Sequence, residues 1–151
     1  MNTDQQQLIS VIVPAFNEES VLPSFHEAIT QVFSDLPFNF EIAYINDGST
    51  DNTLRIIKQL KESDNRITLI DLSRHFGKEI ALTAGLQKAC GDAVIVIDAD
   101  LQDPPALIPE RLTRSWPRCW SIASGPALFR SAATSFNRLH VTVNVREKLT
   151  C

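Results

Sequence analysis

Apolar and polar positions alternate in blocks along the first 110 residues, and the blocks change period in a regular way. "LISVIVPAF" is a continuous apolar run of strand length that ends at Pro14. Val21, Leu22, Phe25, Ala28, Ile29, Val32 and Phe33 then recur at helical spacing and predict one buried face, with Pro23 near the helix start, where a missing N–H costs little. "FEIAYIN" predicts a second strand closed by the turn "DGST". Thr50 or Asp51 is placed to cap a second helix with Leu54, Ile57 and Leu60 inward. "RITLIDL" predicts a third strand, Lys78 to Ala89 a third helix stopped by Gly91, and "AVIVID" a fourth strand. Pro104-Pro105 predicts a turn into another helix start.

Four short apolar strands alternating with helices predict an α/β domain, a Rossmann-like, mostly parallel sheet with helices on both faces. Such sheets bind ligands outside the carboxyl ends of their strands. The polar residues at those ends are therefore the candidates for chemistry: Asn17, Glu18 and Glu19, then Asn46 and Asp47, then Arg74, His75 and Lys78, then Asp98, Asp100 and Asp103. The stretch "VIVIDADLQDPP" drives an apolar strand straight into three carboxylates, which repel one another and are costly to bury unpartnered. Residues i and i+2 of an extended chain share a side, so Asp98 and Asp100 can converge on one cation. Hard cations such as Mg²⁺ and Mn²⁺ suit carboxylates combined with substrate phosphates. A lone aspartate at a strand end is ordinarily a turn former; three of them, with Asp47 and Glu18 on the same sheet edge, point to a metal-bound polyphosphate. There is no G-x-x-x-x-G-K-[ST], and "PAFNEE" stands where a dinucleotide-binding G-x-G-x-x-G would lie.

Taken in order, "VIVPAFNEE", "INDGSTDNT", "LSRHFGKE" and "DADLQDPP" resemble the donor-binding half of family 2 inverting glycosyltransferases, over about residues 8 to 110. The likeness is greatest to the branch that moves a sugar from a nucleotide sugar to a polyprenyl phosphate, such as dolichol-phosphate mannosyltransferases and bactoprenol glucosyltransferases. The resemblance implies the glycosyltransferase A-type fold, apparently truncated. It implies a UDP- or GDP-linked sugar donor, a lipid phosphate acceptor, Mg²⁺ or Mn²⁺, and an association with the cytoplasmic face of a membrane. By the same resemblance Pro14, Phe16 and Glu18 line the base and ribose pocket, and Phe16 stands where relatives commonly carry tyrosine. Ile45 and Asp47 match the pair contacting base and ribose, with Asn46 where many relatives carry another aspartate. Asp98, Ala99 and Asp100 match the D-x-D motif, with Asp98 and Asp100 as metal ligands and Asp100 the direct one. Gln102 lies near metal and diphosphate, and Arg74 and Lys78 are candidates for balancing diphosphate charge. No general base is identified. His75 is read as a surface substitution and His26 as lying on the polar side of its helix, neither with a catalytic role.

Charge then divides the chain. Residues 1–110 hold 17 acidic and 7 basic residues, whereas 111–151 hold one acidic residue, Glu147, against 7 basic ones. The second stretch also carries Trp116, Trp120, Cys119 and Cys151, and none of the family's acceptor-half motifs. Two segments are therefore expected: a nucleotide-sugar-binding domain over 1–110 and a divergent basic tail over 111–151, of frameshifted or truncated origin. In the tail only "LHVTVNV", Leu139 to Val145, alternates like a strand. A net charge of -4 gives no global field for nucleic acid. The three cysteines form no metal-ligand spacing or disulfide framework. No basic n-region opens the chain, and no run reaches the about 18 apolar residues of a membrane helix; a cytoplasmic protein with reduced thiols is expected. If the tail is frameshifted, translating the coding DNA after codon 110 in the other two frames yields a glycosyltransferase-like continuation; two frames without one refute the shift.

Overall fold

The computed structural model describes residues 7–102, 104–110, 112 and 140–142. Strand β1 (Leu8–Ala15) lies at the centre of a sheet ordered β3-β2-β1-β4-β5, with β2 (Asn39–Asn46), β3 (Ile67–Asp71), β4 (Ala93–Val96) and β5 (His140–Thr142). The pairs β1–β2, β1–β4 and β2–β3 are parallel, and β5 adds antiparallel to β4. The four parallel strands are those predicted from the apolar runs. Part of the alternating segment 139–145 is also a strand, and its remainder lies outside the described residues.

The period-2 rule sorts each strand's side chains onto two faces. Ile9, Val11, Val13, Ile42, Tyr44, Ile95 and Ile97 join one core with Leu22, Phe25, Ile29 and Phe33 of helix α1 (Leu22–Ser34) and Ile57 of helix α2 (Thr53–Ser63). Ile12, Ala43, Ile45, Val94 and Val96 face Ala81 of helix α3 (Lys78–Lys88) in a second core. The sheet is thus covered on both faces, which is why its strands read as continuous apolar runs. At Gly85 α3 sits so close that an added Cβ would come within 2.6 Å of Ile12 and 2.8 Å of Ile45.

Three local expectations are corrected. On α2 the inward face is Thr53, Ile57 and, partly, Ile56 and Leu60, whereas Leu54 joins neither core; registering the helix on Thr53 turns Leu54 to the margin. Asn52 occupies the cap position, although the first helical N–H, on Thr53, is still satisfied by the Asp51 carboxylate at 2.9 Å. His26 is not on a polar face: its side chain is 13 % exposed, with Nδ1 3.1 Å from the Tyr44 hydroxyl and Nε2 4.0 Å from Asp64. Burial lowers its proton affinity, against the opposing charge of Asp64, and burial also raises the Tyr44 hydroxyl. The Pro-Pro turn does lead into a short 3₁₀ turn at Pro105–Leu107, whose following residue Ile108 is fully buried against the α1 side.

Burial decides where substitution matters. Phe25→Ala empties a fully enclosed site on α1 and is expected to lower unfolding stability by about 3–5 kcal/mol. Leu86→Ala, at a position 36 % exposed on α3, is expected to change it by less than about 1 kcal/mol; urea denaturation of both variants tests the contrast.

Candidate donor site at the strand ends

The strand order turns back on itself at β1: β2 and β3 lie to one side, β4 to the other. A crevice forms at such a reversal, beyond the carboxyl ends of the strands. Residues 16–19 after β1 and 98–102 after β4 flank it, and 46–48 after β2 and 74–78 after β3 extend it.

Two loops on the β1 and β2 ends are fastened together. Asn17 takes a left-handed backbone conformation (φ 55°), and its side-chain oxygen accepts from the Thr50 N–H at 2.9 Å. The Glu18 N–H donates to the Thr53 hydroxyl at 2.8 Å. Glu19 accepts from the backbone and side-chain amides of Asn52 at 2.8 and 2.9 Å. Exposed loop backbone is thus held by side chains rather than by sheet, and Phe16 and Glu18 project from a fixed frame.

Asp47 fastens the next loop. Its carboxylate, 3 % exposed, accepts from the Phe76 N–H at 2.8 Å and the Gly77 N–H at 2.9 Å, and the His75 Nδ1 lies 2.9 Å from it. Gly48 (φ 65°) completes the joint, because a Cβ there would lie 2.2 Å from the Arg74 carbonyl carbon. Neighbouring Asn46 is 2 % exposed and donates to Asp71 at 2.8 Å. An aspartate in its place would set a second buried carboxylate against Asp71, which explains the amide.

The acidic cluster gathers around the crevice. Asp98 lies 2.6 Å from the Lys78 ammonium, and Asp100 accepts from the Gln102 N–H at 3.0 Å. Burial first, then the charges of Asp100, Asp51 and Asp98, push the Glu18 carboxyl above its ordinary range. The charges of Asp98 and Asp100 thus act on Glu18 across the strand ends. The expected geometry is only partly right, because β4 stops at Val96 and residues 99–100 form a turn. Asp98 and Asp100 thus lie beyond the strand, ahead of Leu101 at φ 58°, rather than at alternating strand positions.

Other expected positions separate by exposure. Phe16 is 40 % exposed and Pro14 half-buried, so both can meet a ligand. Ile45 and Ala99 are enclosed, Ile45 in the α3-side core, and supply support rather than exposed surface. Arg74 lies over the Phe76 ring, 4.7 Å from its centroid. Asp103 lies outside the described residues. His75, read as a surface substitution, instead joins the site through Asp47 and through its ring, centred 4.1 Å from Phe16. Its side chain is half exposed, and only the spacing to Asp47 across two loops reveals it.

Two aspartates with a glutamate and a half-exposed lysine are residue types that can meet a cation together with a phosphate. Among the described residues no three His, Cys, Asp or Glu side chains are grouped to hold a metal alone.

The sequence profile of Glycosyl transferase family 2 matches residues 10–115. The chain belongs to this family. It is 38 % identical over 129 residues to the uncharacterized glycosyltransferase YkcC of Bacillus subtilis (strain 168), covering 85 % of this chain and 40 % of that protein. It is 48 % identical over 108 residues to the bactoprenol glucosyl transferase of Shigella phage SfX, covering 72 % of this chain and 35 % of the relative. Two solved structures share the A-type fold. The Mycobacterium tuberculosis glucosyl-3-phosphoglycerate synthase, bound to Mn²⁺, UDP and glucosyl-3-phosphoglycerate, gives a TM-score of 0.55 at 27 % identity, over 72 % of this chain and 39 % of that one. The Pyrobaculum calidifontis mannosyltransferase with GDP-Man and Mn²⁺ gives 0.53 at 27 % identity, over 64 % and 28 %. This family 2 chain therefore spans between about a third and two fifths of the curated relatives it matches. The 129 residues matched to YkcC exceed the 110 that precede the charge reversal, so that likeness reaches into the basic segment.

Glu18 gives a test of the field. Its raised proton affinity means that its charged form is disfavoured by folding, a penalty absent below the unfolded value near 4.3 and fully present above the folded one. Glu18→Gln is accordingly expected to raise the thermal midpoint at pH 7 without metal. The gain should vanish at about pH 3, where the wild-type carboxyl is protonated in both states; equal midpoints at pH 7 would refute the crowding of charge.

Proposed function

We propose that residues 8–110 form the donor site of a metal-dependent, inverting glycosyltransferase acting on a UDP- or GDP-linked sugar, with a polyprenyl phosphate as acceptor. The supporting observation is the gathering of Asp98, Asp100 and Glu18 at the strand-order reversal, with Lys78 on Asp98. The solved relatives bound to Mn²⁺ with UDP or GDP-Man support the donor class, and the bactoprenol glucosyl transferase supports the lipid acceptor.

Asp98 and Asp100 are the residues to hold the cation, which supplies Lewis-acid neutralisation of charge on the leaving diphosphate. Lys78 is half exposed, so its pairing with Asp98 adds only about 0–1 kcal/mol to stability. Its ammonium is thereby free to exchange Asp98 for a phosphate oxygen. Phe16 and Pro14 offer apolar surface to the base, and Glu18 can accept from ribose hydroxyls. Arg74 and Gln102 stand at the edges, within reach of the diphosphate. The acceptor attacks the anomeric carbon opposite the leaving group. A phosphate monoester carries about -1.5 to -2 charge at pH 7 and needs a general base less than an alcohol would. Such an acceptor would set the chain at the cytoplasmic face of a membrane, although no helix of the described residues is long and apolar enough to cross one.

The share of the relatives that the chain spans favours a second reading, a nucleotide-sugar-binding fragment without turnover. Calorimetric titration with UDP- and GDP-sugars, with and without Mn²⁺, examines what both readings share. Metal-dependent binding that falls at least tenfold in Asp100→Ala is expected. Binding indifferent to Mn²⁺ and to the substitution would overturn the donor site, and sugar transfer to a polyprenyl phosphate separates enzyme from fragment.

A further inference from the structure

His75 lies beside the proposed donor site without belonging to any motif role assigned above. Its Nδ1 lies 2.9 Å from Asp47 Oδ2, and its ring is tilted 31° against Phe16 with centroids 4.1 Å apart. Both rings remain open to solvent, His75 with a side chain 54 % exposed. We propose that His75 is a nucleoside-binding residue, its imidazole and the Phe16 ring forming one composite platform for the base and ribose of the donor. The inference rests on the donor-site reading and adds a residue to it.

The separation of the rings defines how the platform works. Inserting a base between them would need two ring contacts of about 4.5 Å or more each. At 4.1 Å no third ring fits, so the base rests on the outer side of the pair. With Nδ1 turned to Asp47, the ring presents Nε2 away from that carboxylate. Nε2 has no partner among the described residues. It is therefore open to a polar group of the ribose or the base.

The imidazole is not needed to hold its own loop. The Phe76 and Gly77 N–H groups reach Asp47 independently, and Gly48 packs directly against the backbone of Arg74 and His75. A buried carboxylate with two backbone donors stays satisfied when the neighbouring imidazole is removed. A nearly half-exposed aromatic on the other side, Phe16, is equally hard to explain as core. Two open rings in contact at a strand-end crevice make a surface suited to a flat ligand.

Binding of UDP and GDP in the presence of Mn²⁺ to the full chain and to His75→Ala, His75→Phe and His75→Gln tests the proposal, with amide hydrogen exchange at Phe76 and Gly77 as the check on the loop. His75→Ala is expected to weaken both nucleoside diphosphates about tenfold while the two amides stay protected. Recovery to within about threefold by His75→Phe assigns the gain to the ring face, and recovery by His75→Gln assigns it to the polar atom. Unchanged affinity in His75→Ala overturns the proposal, as does a loss accompanied by deprotection of the amides, which would make the histidine a loop fastener. Failure of the unaltered chain to bind either nucleotide would instead overturn the donor site itself.

Discussion

The strand-end surface depends on one buried carboxylate. Asp47 stands just past the end of β2 with two backbone donors from the loop after β3 and the His75 imidazole beside it. Without that joint the segment 74–77 has no sheet partner, and Arg74, His75 and Lys78 lose their common origin. A buried charge is tolerable only when its lone pairs are occupied. The same requirement that makes Asp47 expensive makes the loop position specific. Gly48 then lets the two backbones meet at a distance no side chain would permit.

On the far side of the crevice the electrostatics run the other way. Asp47 is met by two backbone donors, while the charges of Asp98 and Asp100 act on Glu18 and Asp98 meets the Lys78 ammonium. The site thus has an aromatic half near Phe16 and His75 and an acidic half near Asp98 and Asp100. A nucleoside diphosphate with a divalent cation has the same division, flat and weakly polar at one end and ionic at the other. Away from the site, charge is balanced locally; the Arg66 side chain, bonded to Asp64, holds that carboxyl below its usual range.

Much of this was legible from residue patterning because a parallel sheet covered on both faces writes itself as apolar runs. All four parallel strands follow from that rule, and the three helices from apolar spacing and stop signals between them. What patterning missed is contact across loops. His26 looks polar by helical spacing, yet Tyr44 and Asp64 reach it from β2 and from the chain before β3. His75 looks like surface because nothing near it in sequence pairs with it; its partners, Phe16 and Asp47, are 59 and 28 residues away. Asp98 and Asp100 were placed on one side by strand alternation, yet β4 gives out two residues early and Asp100 lies in a turn. Ile45 sits at a strand end and still faces the core, because period 2 assigns it to the α3 side.

The spacing of these contacts also sets an order of assembly during synthesis, when N-terminal segments emerge first. Asp47 meets Phe76 and Gly77 across 29 and 30 residues, about the length of one strand–helix unit. The aromatic half is therefore complete once residues up to 78 have left the ribosome, before β4 exists. The ionic half waits for Asp98 and Asp100, whose strand inserts beside β1 afterwards. A nascent chain paused between these points would carry the Phe16–His75 pair and lack Asp98 and Asp100, so the two halves of the site are acquired in sequence rather than together.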